Sequence, residues 1–268
     1  MNDERWLSAL LESLHAVLDK TDQLFLSAIA NTPRWNDKDD RDPVSETDLS
    51  IENLIRELLH DLLPEVPFVG EETGGRVPET GLSWIVDPVD GTVNFLEGIP
   101  LCGTSIGLAC DNRPILGAVS LPLLKSRFSG GPMVPSTENA RRITVSNTFS
   151  LRQAVVAVGD YSTGRDAESK NERKLAVHAS LAPSVYRIRM LGSAAIDLAW
   201  LASGRLHGSL TMSNNVWDMC GGVAIALGAG AEVSDMIGEP YTLASSATIA
   251  AVPGLLHPLL EQINRIDR

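Results

Sequence analysis

The sequence predicts an α/β fold built in layers, and three observations carry that prediction. Apolar residues recur at three- and four-residue spacing in some segments and gather into short continuous runs in others. Helical and strand-like segments alternate through the second half, whereas the first half carries a hairpin signal. The chain has 268 residues, 44% of them hydrophobic, and a mean hydropathy near zero. That is enough apolar material for one large domain of two closely packed halves, roughly 1–135 and 136–268.

Taken in order, Trp6, Leu7, Leu10, Leu11, Leu14, Val17 and Leu18 mark an amphipathic opening helix that continues toward Ile29. The polar stretch from Asn31 to Arg41 reads as an exposed loop or hairpin. Thr47 or Asp48 is placed to cap a second helix whose apolar face holds Leu49, Ile51, Leu54, Ile55, Leu58, Leu59 and Leu62, ended by Pro64 and Pro67. Strand-like segments follow at 67–70, 83–86, 104–110 and 115–121, the last two flanking a turn at Asp111, Asn112, Arg113 and Pro114. Residues 122–140, rich in Gly, Pro and Ser, read as a connection between halves. Strands are then expected at 154–158, 187–190, 208–212 and 247–252, and helices at 168–181, 193–203, 218–228 and 255–263.

The net charge is −12, from 34 acidic against 22 basic residues. That balance argues against a nucleic-acid or anionic-membrane partner, either of which needs a basic face. The acidic amino terminus lacks a basic segment followed by an apolar core, so no secretory signal is expected. Three scattered cysteines, Cys102, Cys110 and Cys220, fit buried thiols in a reducing compartment. The expected location is the cytoplasm.

Carboxylates stand inside or beside apolar stretches in three places: Gly70-Glu71-Glu72-Thr73-Gly74, Asp87-Pro88-Val89-Asp90-Gly91-Thr92-Val93-Asn94-Phe95, and Trp217-Asp218. Each falls at a strand end or a helix start, where an α/β scaffold presents ligands to a crevice. Taken singly, each has an ordinary explanation as a turn, a solvated loop or a helix cap. Crowded together, several ionised carboxylates repel unless divalent cations neutralise them. All-oxygen donors favour Mg²⁺ first and Mn²⁺ second, and the absence of His or Cys from these segments weakens a zinc reading. Gly91 and Thr92 offer backbone N–H groups at a turn into a helix, a cradle for phosphate oxygens.

In this order the segments resemble the inositol monophosphatase-like family of metal-dependent phosphatases, which also contains fructose-1,6-bisphosphatases and histidinol phosphatases. Its pattern is a GEE loop, a hydrophobic strand with DPxDGTxNF, and WD at a late helix start; the middle motif stands here complete as DPVDGTVNF. Supporting similarity runs through residues 44–48, through Gly192-Ser193-Ala194-Ala195 and through residues 226–233.

The resemblance implies an αβαβα sandwich with metals at the interface of the halves, and a homodimer. It implies metal ligands in Glu71, Asp87, the Val89 carbonyl, Asp90 and Asp218, for two or three Mg²⁺ ions with Li⁺ as an inhibitor. Asp48, Glu71 and Thr92 would be catalytic, Thr92 beside Asp48 positioning the attacking water. Gly91, Thr92, Gly192, Ser193, Ala194, Thr211 and Asp218 would hold the substrate, a small phosphorylated metabolite. Inositol monophosphate is the leading candidate, with histidinol or sugar phosphates as alternatives; a non-catalytic regulatory protein on this scaffold is disfavoured by the intact carboxylates.

The sequence departs from the pattern twice. Thr211 stands where the inositol phosphatases usually carry a glutamate six residues before the WD tryptophan. The loop at 124–135 lacks the family's usual G-x-G-A-x-x-N-G segment, which either reshapes one edge of the site or marks a shortened hairpin. Other signals are ordinary. The five histidines have no paired spacing, there is no GxSxG elbow, and Lys170, Arg173 and Lys174 read as a solvated basic helix face that could also guide an anionic substrate.

Overall fold

The computed structural model describes residues 3–31, 45–147, 150–164, 167–212 and 214–265. Most of the polar stretch expected between Asn31 and Arg41 lies outside them. Two helices open the chain, α1 (Glu4–Asn31) and α2 (Ser45–Leu62). They bury Leu7, Leu14, Leu18, Phe25, Ile51, Ile55 and Leu59 completely. Each such side chain is worth roughly 1.5–3 kcal/mol of transfer free energy, which is why the three- and four-residue spacing was a sound guide. The expected cap at Thr47 or Asp48 is not one. Helix α2 is already under way at Ser45, and Asp48 is turned into the protein, 3% exposed.

A seven-stranded sheet follows, its order the same as its sequence. The strands are β1 (Phe68–Gly70), β2 (Leu82–Asp90), β3 (Gly103–Cys110), β4 (Arg113–Leu121), β5 (Ser126–Gly131), β6 (Val134–Glu138) and β7 (Arg141–Arg142), with the short helix α3 (Thr92–Glu97) between β2 and β3. Only β1 and β2 run parallel; the rest is an antiparallel meander. Residues 122–140, expected as a connection, are therefore sheet. Glycine and serine in β5 suit closely packed strands, and Gly-Pro-Met at 131–133 makes a tight return, so most of residues 124–135 forms a hairpin.

The second half holds a five-stranded sheet of order β11-β12-β10-β8-β9. Its elements are β8 (Val155–Val158), α4 (Ala167–Leu181), β9 (Arg187–Arg189), α5 (Ala194–Ala202), β10 (Gly208–Thr211), α6 (Val216–Gly228), β11 (Glu232–Ser234), β12 (Thr248–Ala251) and α7 (Leu256–Asn264). Strands β8, β9 and β10 are parallel, so their carboxyl ends emerge on one edge. Strand β11 had no counterpart in the sequence reading, because three residues after a glycine-rich helix end carry no period.

Helices α1 and α2 cover one face of the first sheet, α5 and α6 fill the space between the sheets, and α4 and α7 pack outside the second. The order is thus α, β, α, β, α. Strand β2 shows why it is apolar throughout: Trp84 and Val86 join the core under α1 and α2, while Ile85 joins the core around α6. Of the cysteines, Cys102 and Cys220 are buried as expected, whereas Cys110 is partly exposed at its hairpin. No helix among the described residues is long and apolar enough to cross a membrane.

Candidate active site

Strand β2 breaks its register at its carboxyl end. Asp87 pairs with Ser105 and Asp90 with Gly103, one residue out of step. Residues three apart on a regular strand face opposite ways, and the bulge re-aims them so that both Asp87 and Asp90 line one cavity. Pro88 withholds a ladder donor while its carbonyl accepts from Thr104 Oγ1 at 2.8 Å, and the Val89 N–H donates to Asp87 Oδ1 at 3.0 Å. Gly91 then turns the chain into α3 at φ 86°, and a Cβ there would lie 2.8 Å from the Leu101 carbonyl. Glycine is required at that corner.

The cavity holds about 280 Å³ and is bounded by both halves. From the first half come Glu71, Asp87, Val89, Asp90, Gly91, Thr92 and Val93. From the second come Gly159 and Asp160 after β8, Gly192, Ser193, Ala194 and Asp197 around the start of α5, Thr211 and Met212 at the end of β10, Lys174, Asn215 and Asp218. Parallel strands deliver their carboxyl ends to this crevice, as in other open α/β sheets.

Asp90 is the tie between the halves. Its carboxylate accepts from Ser193 Oγ, from the Ala195 N–H at 2.6 Å and from the Ala194 N–H at 3.2 Å, so it sits on the amino end of α5. Burial pushes its pKa up to about 6, and these hydrogen bonds restrain the rise. Burial lifts Asp218 further, to about 7, with the charges of Asp90 and Glu71 adding to it and a 3.2 Å hydrogen bond from Asn215 opposing it. Asp87 is raised well above the usual carboxylate range, first by burial, then by Glu71, Asp90 and Asp218, and by a hydrogen bond with Glu71. Four carboxyl groups crowd one another there, and without a cation Asp87, Asp90 and Asp218 hold protons to higher pH than a free carboxylate does.

The donor set is chemically suited to a hard cation: carboxylates and the Val89 carbonyl line the cavity, with no histidine or cysteine among its lining residues. Among the described residues, no three acidic, histidine or cysteine side chains are arranged to hold an ion by themselves.

A model of the inositol monophosphatase family matches residues 6–267. The chain belongs to the inositol monophosphatase family. It is accordingly a phosphatase, a hydrolase of phosphate esters. A probable inositol 1-monophosphatase ImpA of Mycobacterium tuberculosis is 31% identical over 99% of this chain and 98% of its own length. A fructose-1,6-bisphosphatase/inositol-1-monophosphatase of Aquifex aeolicus is 30% identical over 85% of this chain and 83% of its own. The crystal structure of the extragenic suppressor protein suhB of Bartonella henselae superposes with a TM-score of 0.86 at 26% identity, covering 96% of this chain and 99% of that one.

Of the residues expected in this phosphatase's site, Glu71, Asp87, Val89, Asp90, Gly91, Thr92, Gly192, Ser193, Ala194, Thr211 and Asp218 all line the cavity. Asp48 does not: it is buried on α2, which packs against β2, and the Thr92 hydroxyl donates to the Val89 carbonyl at 3.3 Å. Ser193 also does more than face a substrate, since it bonds Asp90 and caps α5 by accepting from the Ile196 N–H.

Four residues escaped the sequence reading. Glu52, fully buried on α2, accepts from the Glu72 and Thr73 N–H groups at 2.9 and 3.1 Å and pairs with Arg56 at 3.0 Å. It holds the loop that carries Glu71, and its carboxylate leaves no room for a Cβ at Gly70. A charged residue between Ile51 and Ile55 on an apolar face was the available signal. Asn94 joins the halves through the Leu101 and Leu191 carbonyls at 2.7 and 2.8 Å. Asp160 and Asp197 offered no signal, because strand ends and helix interiors commonly carry Asp. Lys174 corrects the solvated-face reading: it is buried, with its ammonium on the Asp160 carbonyl and Ser162 Oγ, while Lys170 and Arg173 stay exposed.

Proposed function

We propose that this phosphatase hydrolyses the monoester of a small cytoplasmic metabolite with Mg²⁺ held by Glu71, Asp87, the Val89 carbonyl, Asp90 and Asp218. The observation that carries the reading is the convergence of those carboxylates on one cavity, clamped by Asp90 across the two halves. Mn²⁺ is the expected substitute and Li⁺ the expected inhibitor.

When bound, the ions supply positive charge to the phosphoryl oxygens and acidify the attacking water. The chain's own part is positional. Asp87 and Asp90 are fixed by the β2 bulge and by α5, so the donors keep one geometry through turnover. Glu71 is fixed through the Glu52 brace on the following residues. Thr92 would position the water, the role the family resemblance pairs with Asp48, and the backbone N–H groups of Gly91 and Thr92 would hold the phosphate. No protein nucleophile is required, and the reaction proceeds by direct attack of water on phosphorus.

Inositol monophosphate is the leading substrate, because relatives named for that activity match nearly the whole chain. A sugar or histidinol phosphate is the second reading, supported by Thr211 at the expected position of a glutamate and by the dual name of the Aquifex relative. A homodimer is part of the same proposal. The test is phosphate release from a panel of inositol, sugar, histidinol and alkyl phosphates, with Mg²⁺ and with EDTA. Mg²⁺-dependent turnover of a polyol phosphate is expected. Absence of metal-dependent turnover on every ester would refute the proposal.

A further inference from the structure

Glu52 is the one fully buried acidic residue among the described residues, and it stands on a helix face that packing alone would fill with an apolar side chain. A carboxylate taken out of water is tolerated only where donors and an opposite charge surround it, and it stabilises less than an apolar residue of similar volume. Packing therefore does not explain it. Its partners do. The Glu72 and Thr73 N–H groups donate to it at 2.9 and 3.1 Å, the Thr73 hydroxyl donates to Oε1, and Arg56 pairs with it at 3.0 Å. Arg56 also donates to Thr73 Oγ1 and lies over the Phe68 ring, 4.6 Å from its centroid, so it ties α2 to both ends of the 70–74 loop.

The loop closes on itself through the Gly70 N–H, which donates to the Gly74 carbonyl at 3.1 Å, and it joins β2 where the Glu71 N–H donates to the Val86 carbonyl at 3.2 Å. The Glu72 N–H belongs to the same planar peptide unit as the Glu71 carbonyl. Holding that N–H on Glu52 fixes the peptide on the far side of Glu71, as Val86 fixes the near one. Glu71 reaches the cavity, whereas Glu52 is fully buried and is not among the residues that line it. Gly70 supports the same account. It lies in β1 without a left-handed φ, so backbone conformation does not demand glycine. A Cβ there would stand 2.3 Å from Glu52 Oε2 and 2.4 Å from its Cδ.

We propose that Glu52 is a positioning residue that sets the affinity for the divalent cation by fixing the peptide units around Glu71, and that position 70 is glycine in order to seat the Glu52 carboxylate. The inference rests on the metal-site reading above and extends it to two residues that touch neither metal nor substrate.

The experiment uses metal-free full-length protein and Mn²⁺ as the probe, with free Mn²⁺ read by electron paramagnetic resonance at a temperature below every variant's thermal midpoint. Glu52→Gln keeps the volume but turns an amide toward the loop's donors, and Mn²⁺ should bind it about tenfold more weakly, the lower end of what loss of a ligand's supporting partner costs. Gly70→Ala retains both charges and drives the carboxylate off its donors, so a loss of similar size is expected. Both variants are then repeated on Glu71→Gln. With the ligand gone, neither should weaken binding by more than about twofold, because a residue that acts through Glu71 has nothing left to position. Unchanged affinity in Glu52→Gln, or the same loss with and without Glu71, would show a structural role and overturn the proposal. If Glu52→Gln does not fold, Gly70→Ala carries the same decision. Failure of Glu71→Gln itself to weaken Mn²⁺ binding would overturn the metal-site reading as well, whereas a weakened Glu71→Gln beside an unaltered Glu52→Gln sinks this inference only.

Discussion

The two walls of the cavity were assembled in different ways. The wall from the first half draws Asp87 through Val93 from one continuous stretch, with Glu71 only sixteen residues earlier. The wall from the second half draws Asp160, Lys174, Asp197, Thr211 and Asp218 from the ends or faces of separate elements. Phosphate and metal chemistry requires carboxylates at fixed mutual distances, which one bulged strand can deliver. On the proposed reading the second wall supplies Asp218 to the metals and polar groups to the alcohol, gathered from wherever the topology brings strand ends together.

The sharpest way to break that comparison is Asp90→Asn. It halves the acceptor capacity on α5 and removes a charge shared by both walls, and kcat should fall about a thousandfold, the equivalent of several kcal/mol of transition-state stabilisation. Circular dichroism should show the fold retained. Near-normal turnover would mean that the two walls work independently.

Acidity tests the same crowding without a mutation. Asp90 and Asp218 have folded pKa values of about 6 and about 7, above the unassociated 3.8. In EDTA the folded state therefore holds protons that the unfolded state has released, and stability should decline as pH rises from about 4 through 7 and then level off. Mg²⁺ requires the ionised forms, so its apparent affinity should climb about tenfold per pH unit for each proton displaced, up to pH ~7. Thermal midpoints across pH, with EDTA and with Mg²⁺, should diverge above pH ~6. Parallel curves would show that the ion does not bind these groups.

Ser193→Ala should act on both walls at once. It removes a donor to Asp90 and the cap of α5, with about 1 kcal/mol lost in denaturant unfolding and about tenfold in kcat/KM. A stability loss without a kinetic one would confine Ser193 to the helix. The smallest effect belongs to the second wall alone: Thr211→Glu should shift preference toward inositol phosphate by about threefold in kcat/KM, the scale of one added hydrogen bond. An unchanged panel profile would place the Thr211 side chain away from the alcohol.

Much of the molecule was legible in the chain itself. Spacing of Leu7, Leu14, Leu18, Ile51 and Ile55 determined the first two helices, because burial of one face is a local pattern. The continuous run through Trp84, Ile85 and Val86 determined a strand covered on both faces, and DPVDGTVNF, GEE and WD determined the family, each motif bringing a carboxylate to the one cavity. The tertiary structure alone decided the rest. The strands within 122–140 were hidden because closely packed strands need glycine and serine, the same residues that mark loops. The brace of Glu52 and the seat of Asp90 on α5 join residues 20 to 105 positions apart. Such pairings depend on how sheets stack, and no period or motif along a chain records that.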